Sequence, residues 1–421
     1  MKEELLHHIW KFQRFNRTQL VTTDGKEVLI NKAGAYNQDA GPDFFNSRVT
    51  ISNTTWAGNV EIHIKSSDWY KHNHQTDSAY QSIILHVVWE DDMDFHQREG
   101  IPTLELKHRI PKVIIDRYSA LQNINNIPCS QQISTVDSMH ISHWLQRLAI
   151  QRLSRKSQDI ETKLKVLHGN WEEVFYIMLA SNFGFKVNKS PFELLAESLP
   201  LAILKKHKGN LRQVEALLFG VAGLLEKPQD NYSILLKEEF EFLKKKYNLE
   251  VNINCNWKFN RMRPQNFPTV RMAQLAALIN QSSEIFSEFF NGCSLTLLRQ
   301  KFESIQVSSY WVSHYVLNKP SKPNVKNFGI ASFENVVINT LAPISFAFGV
   351  SNDLEVFRNN AIQWLETTKP ENNSIIKKWQ KLKLPTQDAA HTQALIELYN
   401  EYCSQKDCLT CAIGNQILKP S

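Results

Sequence analysis

The spacing of apolar residues changes once along the chain. Up to about residue 118 apolar and polar residues mostly alternate, after an amphipathic pattern over residues 3–14 that predicts a helix. Two β-prone runs flank the Asp24-Gly25 pair, which predicts a hairpin. Further strands are predicted over residues 47–52, 58–65, 82–90 and 103–106, with a helical turn at 77–82. The almost continuously apolar run 82–90 is typical of a strand covered on both faces.

From about residue 135 the apolar positions recur with the period of an α-helix, beginning with a long amphipathic pattern near His143. Loops rich in proline and asparagine separate these helices, and residues 319–324 are the clearest break. The predicted fold class is therefore α+β. We predict a mixed α/β domain over 1–118, a linker over 119–134, a large all-α domain over 135–402 and a cysteine-rich tail over 403–421.

Composition adds little to this picture. The chain has 421 residues, 42% of them hydrophobic and 21% charged, as in ordinary globular proteins. Its apolar runs are far shorter than the roughly 18 residues of a membrane span, and the acidic start Met1-Lys2-Glu3-Glu4 is not that of a signal peptide. We expect a cytoplasmic protein without membrane contact. The net charge of +6 permits a nucleic-acid partner without requiring one.

Two acidic residues on neighbouring predicted strands carry the clearest chemical signal. Asp43 precedes one strand, and Glu61 lies on the next. If the strands pair, both carboxylates reach one edge, where a divalent cation relieves their repulsion. Such a cation lowers the pKa of a bound water and prepares hydrolysis. His63 and Lys65 project from the same face of the strand as Glu61, which is predicted to be open, while Val60, Ile62 and Ile64 face the opposite, buried side.

The Pro42-Asp43 pair, the Glu61-x-His63 element and the order helix, three strands, short helix, strand resemble the PD-(D/E)XK nuclease superfamily. The resemblance covers about the first 90–100 residues. It implies that Asp43 and Glu61 bind Mg²⁺ or Mn²⁺ and that a lysine two residues after Glu61 positions the attacking water. Here His63 occupies that place and Lys65 follows, so either residue takes the lysine's role or catalysis is lost. The resemblance also implies an assisting acid on the first helix, where Glu3 or Glu4 lies.

The polar loop after this strand extends the candidate site. It gathers Asp68, Trp69, His72 and His74, a composition that favours a functional loop. The alternative is that Asp68 caps the following turn and the histidines are solvated. In a separate interpretation, His63, His72, His74 and an acid hold the zinc ion of a hydrolase. His86, within an apolar strand, is expected to be a core histidine.

The tail contains a cysteine pattern that predicts a metal site. Cys403, Cys408 and Cys411 lie close together, and the last two have the spacing of a metal knuckle. Cys129 is the preferred fourth ligand, ahead of Cys255 and Cys293, which precede or lie in apolar segments. The bound group is Zn²⁺ or, as in some nucleases of the same superfamily, an iron–sulfur cluster. The alternative is three unliganded thiols near a frayed terminus.

Arginines form one further candidate site. Arg261 and Arg263 lie just before a predicted helix start, where they bind either a phosphate or carboxylates of neighbouring helices. Segments at 41–44, 60–63, 66–69, 84–88, 215–220 and 263–268 also resemble, over nearly the whole chain, an uncharacterised bacterial family of unknown function.

We therefore expect a Mg²⁺- or Mn²⁺-dependent nuclease that hydrolyses phosphodiester bonds of DNA or RNA. A non-catalytic nucleic-acid-binding or scaffold protein that keeps the nuclease-like fold is the alternative, and His63 favours it. A zinc-dependent hydrolase is a further alternative.

Overall fold

The computed structural model describes residues 1–37, 39–93, 100–124, 126–251 and 256–419. The chain divides into two compact units, Met1–Trp144 with Glu397–Ser421, and Leu145–Ile396. The predicted α+β class is confirmed, since a sheet lies near the N-terminus and a large helical region follows. The segments that we predicted as a linker (119–134) and a separate tail (403–421) belong to the same unit as the sheet.

The first unit contains a seven-stranded mixed sheet. Its strands are β1 (Leu20–Val21), β2 (Glu27–Lys32), β3 (Ala35–Tyr36), β4 (Phe44–Ile51), β5 (Thr54–Lys65), β6 (Ile83–Glu90) and β7 (Thr103–Glu105). Their order is β1-β2-β4-β5-β6-β7, with β3 beside β4. Strand β6 is parallel to β5 and to β7, and the other pairs are antiparallel. The predicted hairpin, the strand covered on both faces and the strand near residues 103–106 are all present.

An irregularity in β4 sets the register next to Asp43. Phe44 pairs with Val60 and Ser47 with Gly58, so β4 contains one more residue than β5 between these pairs. Asn46 takes a left-handed conformation there (φ 55°), which asparagine adopts more readily than most residues. Continuing the register past Phe44 brings Asp43 opposite Glu61.

Three helices accompany the sheet: α1 (Glu3–Lys11), α2 (Asp68–Lys71) and α3 (Lys112–Asn123). The amphipathic pattern of residues 3–14 does form a helix, although it ends at Lys11. Its apolar face, with Leu6, Ile9 and Trp10 fully buried, packs against β5. This packing places the polar face of α1, and the residues at the ends of that helix, beside the start of β4.

The remainder of the chain is almost entirely helical. Its helices are α4 (Ser138–Val166), α5 (Trp171–Phe183), α6 (Lys189–Ser198), α7 (Leu201–Lys205), α8 (Leu211–Val221), α9 (Asn231–Tyr247), α10 (Pro268–Ser282), α11 (Ile285–Phe290), α12 (Leu295–Glu303), α13 (Ile330–Val336), α14 (Ala342–Ser351), α15 (Glu355–Thr367), α16 (Ser374–Lys381), α17 (Ala389–Glu397) and α18 (Ala412–Ile417). π-Helical turns follow α13 at Val337–Leu341 and α17 at Leu398–Cys403. A short ribbon, β8 (His314–Val316) with β9 (Lys319–Pro320), lies where a loop was predicted.

One helical stretch, Ile330–Ser351, is long and apolar enough to cross a membrane. Its apolar character has a simpler cause, because 72% of its most apolar window is buried inside the protein. Buried helices of soluble proteins have the same composition.

Candidate metal centre

The start of β4 and the middle of β5 bring two carboxylates together. The backbone N–H of Asp43 donates to Glu61 Oε2 at 3.1 Å, and the backbone N–H of Ile62 donates to Asp43 Oδ2 at 2.9 Å. Each carboxylate therefore accepts a hydrogen bond from the backbone of the other strand, and both side chains point to the same edge of the sheet. The sequence pattern had assigned Glu61 and His63 to an open face, whereas only 5% and 1% of their surfaces are exposed.

Two histidines lie against these carboxylates without forming hydrogen bonds to them. His7 Nε2 is 3.2 Å from Asp43 Oδ2, and His74 Nε2 is 3.4 Å from Glu61 Oε1. Both nitrogens are buried, and neither has a hydrogen-bond partner within the described parts of the chain. Buried polar nitrogens nearly always have a partner. Imidazole nitrogens that lie beside carboxylate oxygens without a hydrogen bond of good geometry provide donor atoms that a cation can bind.

Three further imidazoles form a chain that ends at the surface. His86 Nε2 is 2.9 Å from His63 Nδ1, and His63 Nε2 is 3.1 Å from His72 Nδ1. His72 is exposed, while His63 and His86 are buried. The ligand nitrogens of His63, His72 and His74 also lie within 4.8 Å of one another, as the zinc interpretation requires.

Burial controls the charges of this site. It raises the pKa of Glu61 to about 9, with a further contribution from the negative charge of Asp43. Burial also lowers the pKa of His63 to about 2, assisted by the neighbouring histidines. Without a cation, Glu61 is therefore a neutral acid at pH 7 and His63 a neutral imidazole.

Aromatic and acidic residues enclose the site. Tyr80 stacks on His74 with ring centroids 3.8 Å apart, and the buried Trp69 contacts the rings of His74 and His86. Burial raises the pKa of Tyr80 to about 12, and the charges of Glu61 and Asp43 add to this shift. On α1, burial raises the pKa of Glu3, against an opposing effect of the nearby His7.

Three predicted residues are not part of this cluster. Lys65 is half-exposed, with its Nζ 3.6 Å from Asp92 Oδ2, so it does not occupy the place of the missing lysine. Asp68 accepts a hydrogen bond from the backbone N–H of Lys65, before α2, and pairs with Lys71. It does not cap the following turn, because α2 begins without a side-chain cap. Glu4 is exposed and lines a different cavity, so Glu3 is the acid of α1 that faces the site.

The predicted arginine site lies in the second unit. Arg261 and Arg263 are exposed and precede α10, which begins at Pro268 as expected. The buried arginine of this region is Arg271, whose guanidinium binds Asn266, Gln274 and Ser332. Arg271 therefore joins polar groups of neighbouring segments.

From the sequence we named Glu3 as one of two candidate acids, but we did not identify His7 and Glu3 together as residues that face the site. They lie four residues apart, so they share one face of α1 beside its buried apolar face. A polar stripe on an otherwise buried helix was a usable signal. His86 was expected to be a core histidine with its hydrogen bonds satisfied, and it is buried with His63 as a partner.

A cleft of about 580 Å³, here called the α1 cleft, adjoins the site through His7. It lies between α1 and residues 405–415 of the tail. Its basic and aromatic lining residues are Lys2, Lys11, Lys406, Phe12, Tyr36 and Tyr118, and two acids, Glu4 and Asp407, also line it. Lys11 Nζ lies 5.3 Å from the ring centroid of Tyr36.

The four predicted cysteine ligands also lie in the first unit. They are buried, unpaired by disulfides, and line one cavity: Cys129, Cys403, Cys408 and Cys411. Cys293 lies in the second unit, and Cys255 lies outside the described residues.

Comparison with known proteins identifies a family but no activity. The model of a family described as "Protein of unknown function (DUF2851)" matches residues 3–374. No curated protein and no solved structure matches the chain.

Proposed function

This chain belongs to the DUF2851 family of unknown function, and we propose from its site that it is a metal-dependent hydrolase of phosphodiester bonds in nucleic acids. One observation carries the proposal: the buried, unpartnered Nε2 atoms of His7 and His74 lie 3.2 and 3.4 Å from the carboxylates of Asp43 and Glu61. The backbone N–H of Asp43 binds Glu61, so two histidine–carboxylate pairs, from α1, the β4–β5 hairpin and the loop after β5, lie next to each other.

The donor set narrows the choice of metal. Mg²⁺ prefers oxygen ligands and keeps several of its waters. Imidazole nitrogen is a good ligand for Zn²⁺, and Mn²⁺ accepts it more readily than Mg²⁺ does. Two carboxylates with at least two imidazoles therefore favour Mn²⁺ or Zn²⁺ over Mg²⁺. Asp43, Glu61, His7 and His74 would hold the ion, and Glu61 would lose its proton on binding.

A divalent cation bound here would supply positive charge that activates a water and stabilises a phosphoryl oxygen. The other roles fall to residues of the chain. His63 stands where the nuclease superfamily has lysine. Its ring nitrogens contact His86 and His72, so this neutral imidazole would pass a proton to His72 only by accepting one at its other nitrogen at the same time. Because His72 is exposed, it can exchange that proton with solvent.

The α1 cleft supports the choice of substrate. Lysines beside aromatic rings suit a single-stranded nucleic acid, whose phosphates need positive charge and whose bases stack on π-faces. The order of strands around Asp43 and Glu61 supports the same substrate through the superfamily resemblance.

The direct test is cleavage by the purified full chain. Single- and double-stranded DNA and RNA are incubated with EDTA, and then with Mg²⁺, Mn²⁺ or Zn²⁺ added back. We expect cleavage that EDTA abolishes and that Mn²⁺ restores better than Mg²⁺. Binding without cleavage in every metal would favour the scaffold protein.

A zinc-dependent hydrolase of other esters or amides is the second candidate. The approach of His63, His72 and His74 to within 4.8 Å favours it, because three protein ligands and a water form the usual catalytic zinc site. Stoichiometric zinc that is lost in His72→Ala but kept in Asp43→Asn would support this candidate.

Reversing the charge of Lys11 tests the cleft. We expect Lys11→Glu to weaken single-stranded nucleic-acid binding about 3- to 10-fold and to reduce the salt dependence by about one phosphate contact. Fluorescence anisotropy at several salt concentrations measures both. Lys112→Glu is the matched control, since this exposed lysine of α3 lies outside the lining of the cleft. Equal weakening of nucleic-acid binding by both variants would show that the cleft is not the binding site.

A further inference from the structure

Four cysteines from two distant parts of the sequence meet in one buried cavity. Cys129 begins a turn after α3, and its carbonyl accepts hydrogen bonds from Gln132 and Ile133. Cys403 ends a π-helical turn, and Cys408 and Cys411 flank a two-residue turn before α18. We propose that these four residues bind an iron–sulfur cluster, which attaches the C-terminal tail to the first unit.

The spacing of the sulfurs argues against one zinc ion. Four thiolates about 2.3 Å from a single zinc lie roughly 3.8 Å apart. Among the described residues, the three histidines alone form a group of three ligand atoms all within 4.8 Å of one another. No three of the cysteine sulfurs approach that closely, so they surround a larger space. A cluster in which cysteines bind different iron atoms fits such a space.

The surroundings of Cys411 suit a thiolate ligand. The backbone N–H groups of Ile413 and Gly414 donate hydrogen bonds to its sulfur. Such donors stabilise the negative charge of cluster ligands and tune the cluster. Gly414 is required for this turn, because a Cβ at that position would overlap the carbonyl of Cys408.

The tail is fixed in place rather than frayed. Arg117 of α3 donates hydrogen bonds to the carbonyls of Ile417 and Lys419, at 3.1 and 2.6 Å. Gln122 donates to the carbonyl of Lys406 at 3.2 Å. The residues between Cys403 and Cys411 form one wall of the α1 cleft. The cluster would therefore hold a wall of that cleft, whatever reaction the metal centre performs.

Iron and sulfide analysis of the full chain, purified without oxygen, tests the cluster. We expect about two to four iron atoms per chain with as much acid-labile sulfide, and the broad visible absorption of such clusters. Cys408→Ser and Cys411→Ser should each lose most of this absorption. Cys293→Ser is the matched control, since it removes a half-buried cysteine of the second unit and should keep the full signal.

X-ray absorption at the iron edge tests for the cluster in the wild-type chain. This measurement does not depend on whether the cysteine variants fold. Sulfur ligation with iron–iron scattering is the expected result. One zinc per chain without sulfide would overturn the proposal. So would the absence of a cluster after anaerobic reconstitution with iron and sulfide, or a Cys408→Ser protein that retains the full absorption.

Discussion

Glu61→Gln is expected to reduce metal-dependent cleavage by about 1,000-fold or more, with the fold intact. A metal ion contributes several kcal/mol to the transition state, and about 4 kcal/mol corresponds to that factor. Glutamine resembles the neutral acid that Glu61 forms in the metal-free site, and it still offers an oxygen to the backbone N–H of Asp43. It lacks the negative charge that the cation needs. Asp43→Asn should have a similar effect.

Cleavage rates and metal affinity of the same preparations measure this effect. Calorimetric titration with Mn²⁺ should show binding to the wild-type chain and much weaker binding to both variants. Glu90→Gln is the matched control, because Glu90 ends β6 and pairs with Lys107 away from the cluster. Wild-type cleavage by Glu61→Gln would rule out the proposed centre.

The metal-free protein is expected to lose stability as the pH rises from about 6.5 to 9. Glu61 keeps its proton in the folded state up to a pKa of about 9, whereas its ordinary pKa is 4.5. Between these values the folded protein binds more protons than the unfolded chain, so the free energy of unfolding decreases with pH. The slope of this contribution is at most about 1.4 kcal/mol per pH unit.

His63 acts in the opposite direction at lower pH. Its pKa of about 2 in the folded state lies below its ordinary value of 6.5. The unfolded chain therefore binds the extra proton below pH 6.5, and this contribution to stability is lost as the pH falls through that window. From pH 4.5 to 6.5 Glu61 and His63 change the free energy of unfolding in opposite directions. The decrease in this free energy due to Glu61 is therefore seen above pH 6.5.

Urea unfolding in EDTA at pH 6.5, 7.5 and 8.5 measures this decrease. Glu61→Gln should show a flatter dependence, and subtracting its values removes the contributions of all other groups. Saturating Mn²⁺ should oppose the loss in the wild-type chain, because binding displaces the Glu61 proton and strengthens as the pH rises. Parallel curves for the two proteins would contradict the assigned protonation of Glu61.

Much of the fold was predictable because its elements depend on local patterns. The period of apolar residues predicted α1 and the strands around Asp43 and Glu61. The apolar run of β6 predicted burial on both faces, and its central residues are buried. The alternation in β5 was misleading, because it assigned Glu61 and His63 to an open face. The loop after β5 and helix α1 cover that face. The sequence of a strand alone does not indicate whether other elements pack over it.

The sequence by itself determined the α+β class, the two acids and the cysteine pattern. These depend on residue types and on spacings within single elements. Only the tertiary structure added His7 to the cluster, separated Lys65 from it, and brought Cys129 to a tail nearly three hundred residues away. Such contacts depend on strand register and on the packing of α1 and the tail. Around Asp43 and Glu61 the chain specifies two acids locally, and long-range packing brings the histidines to them.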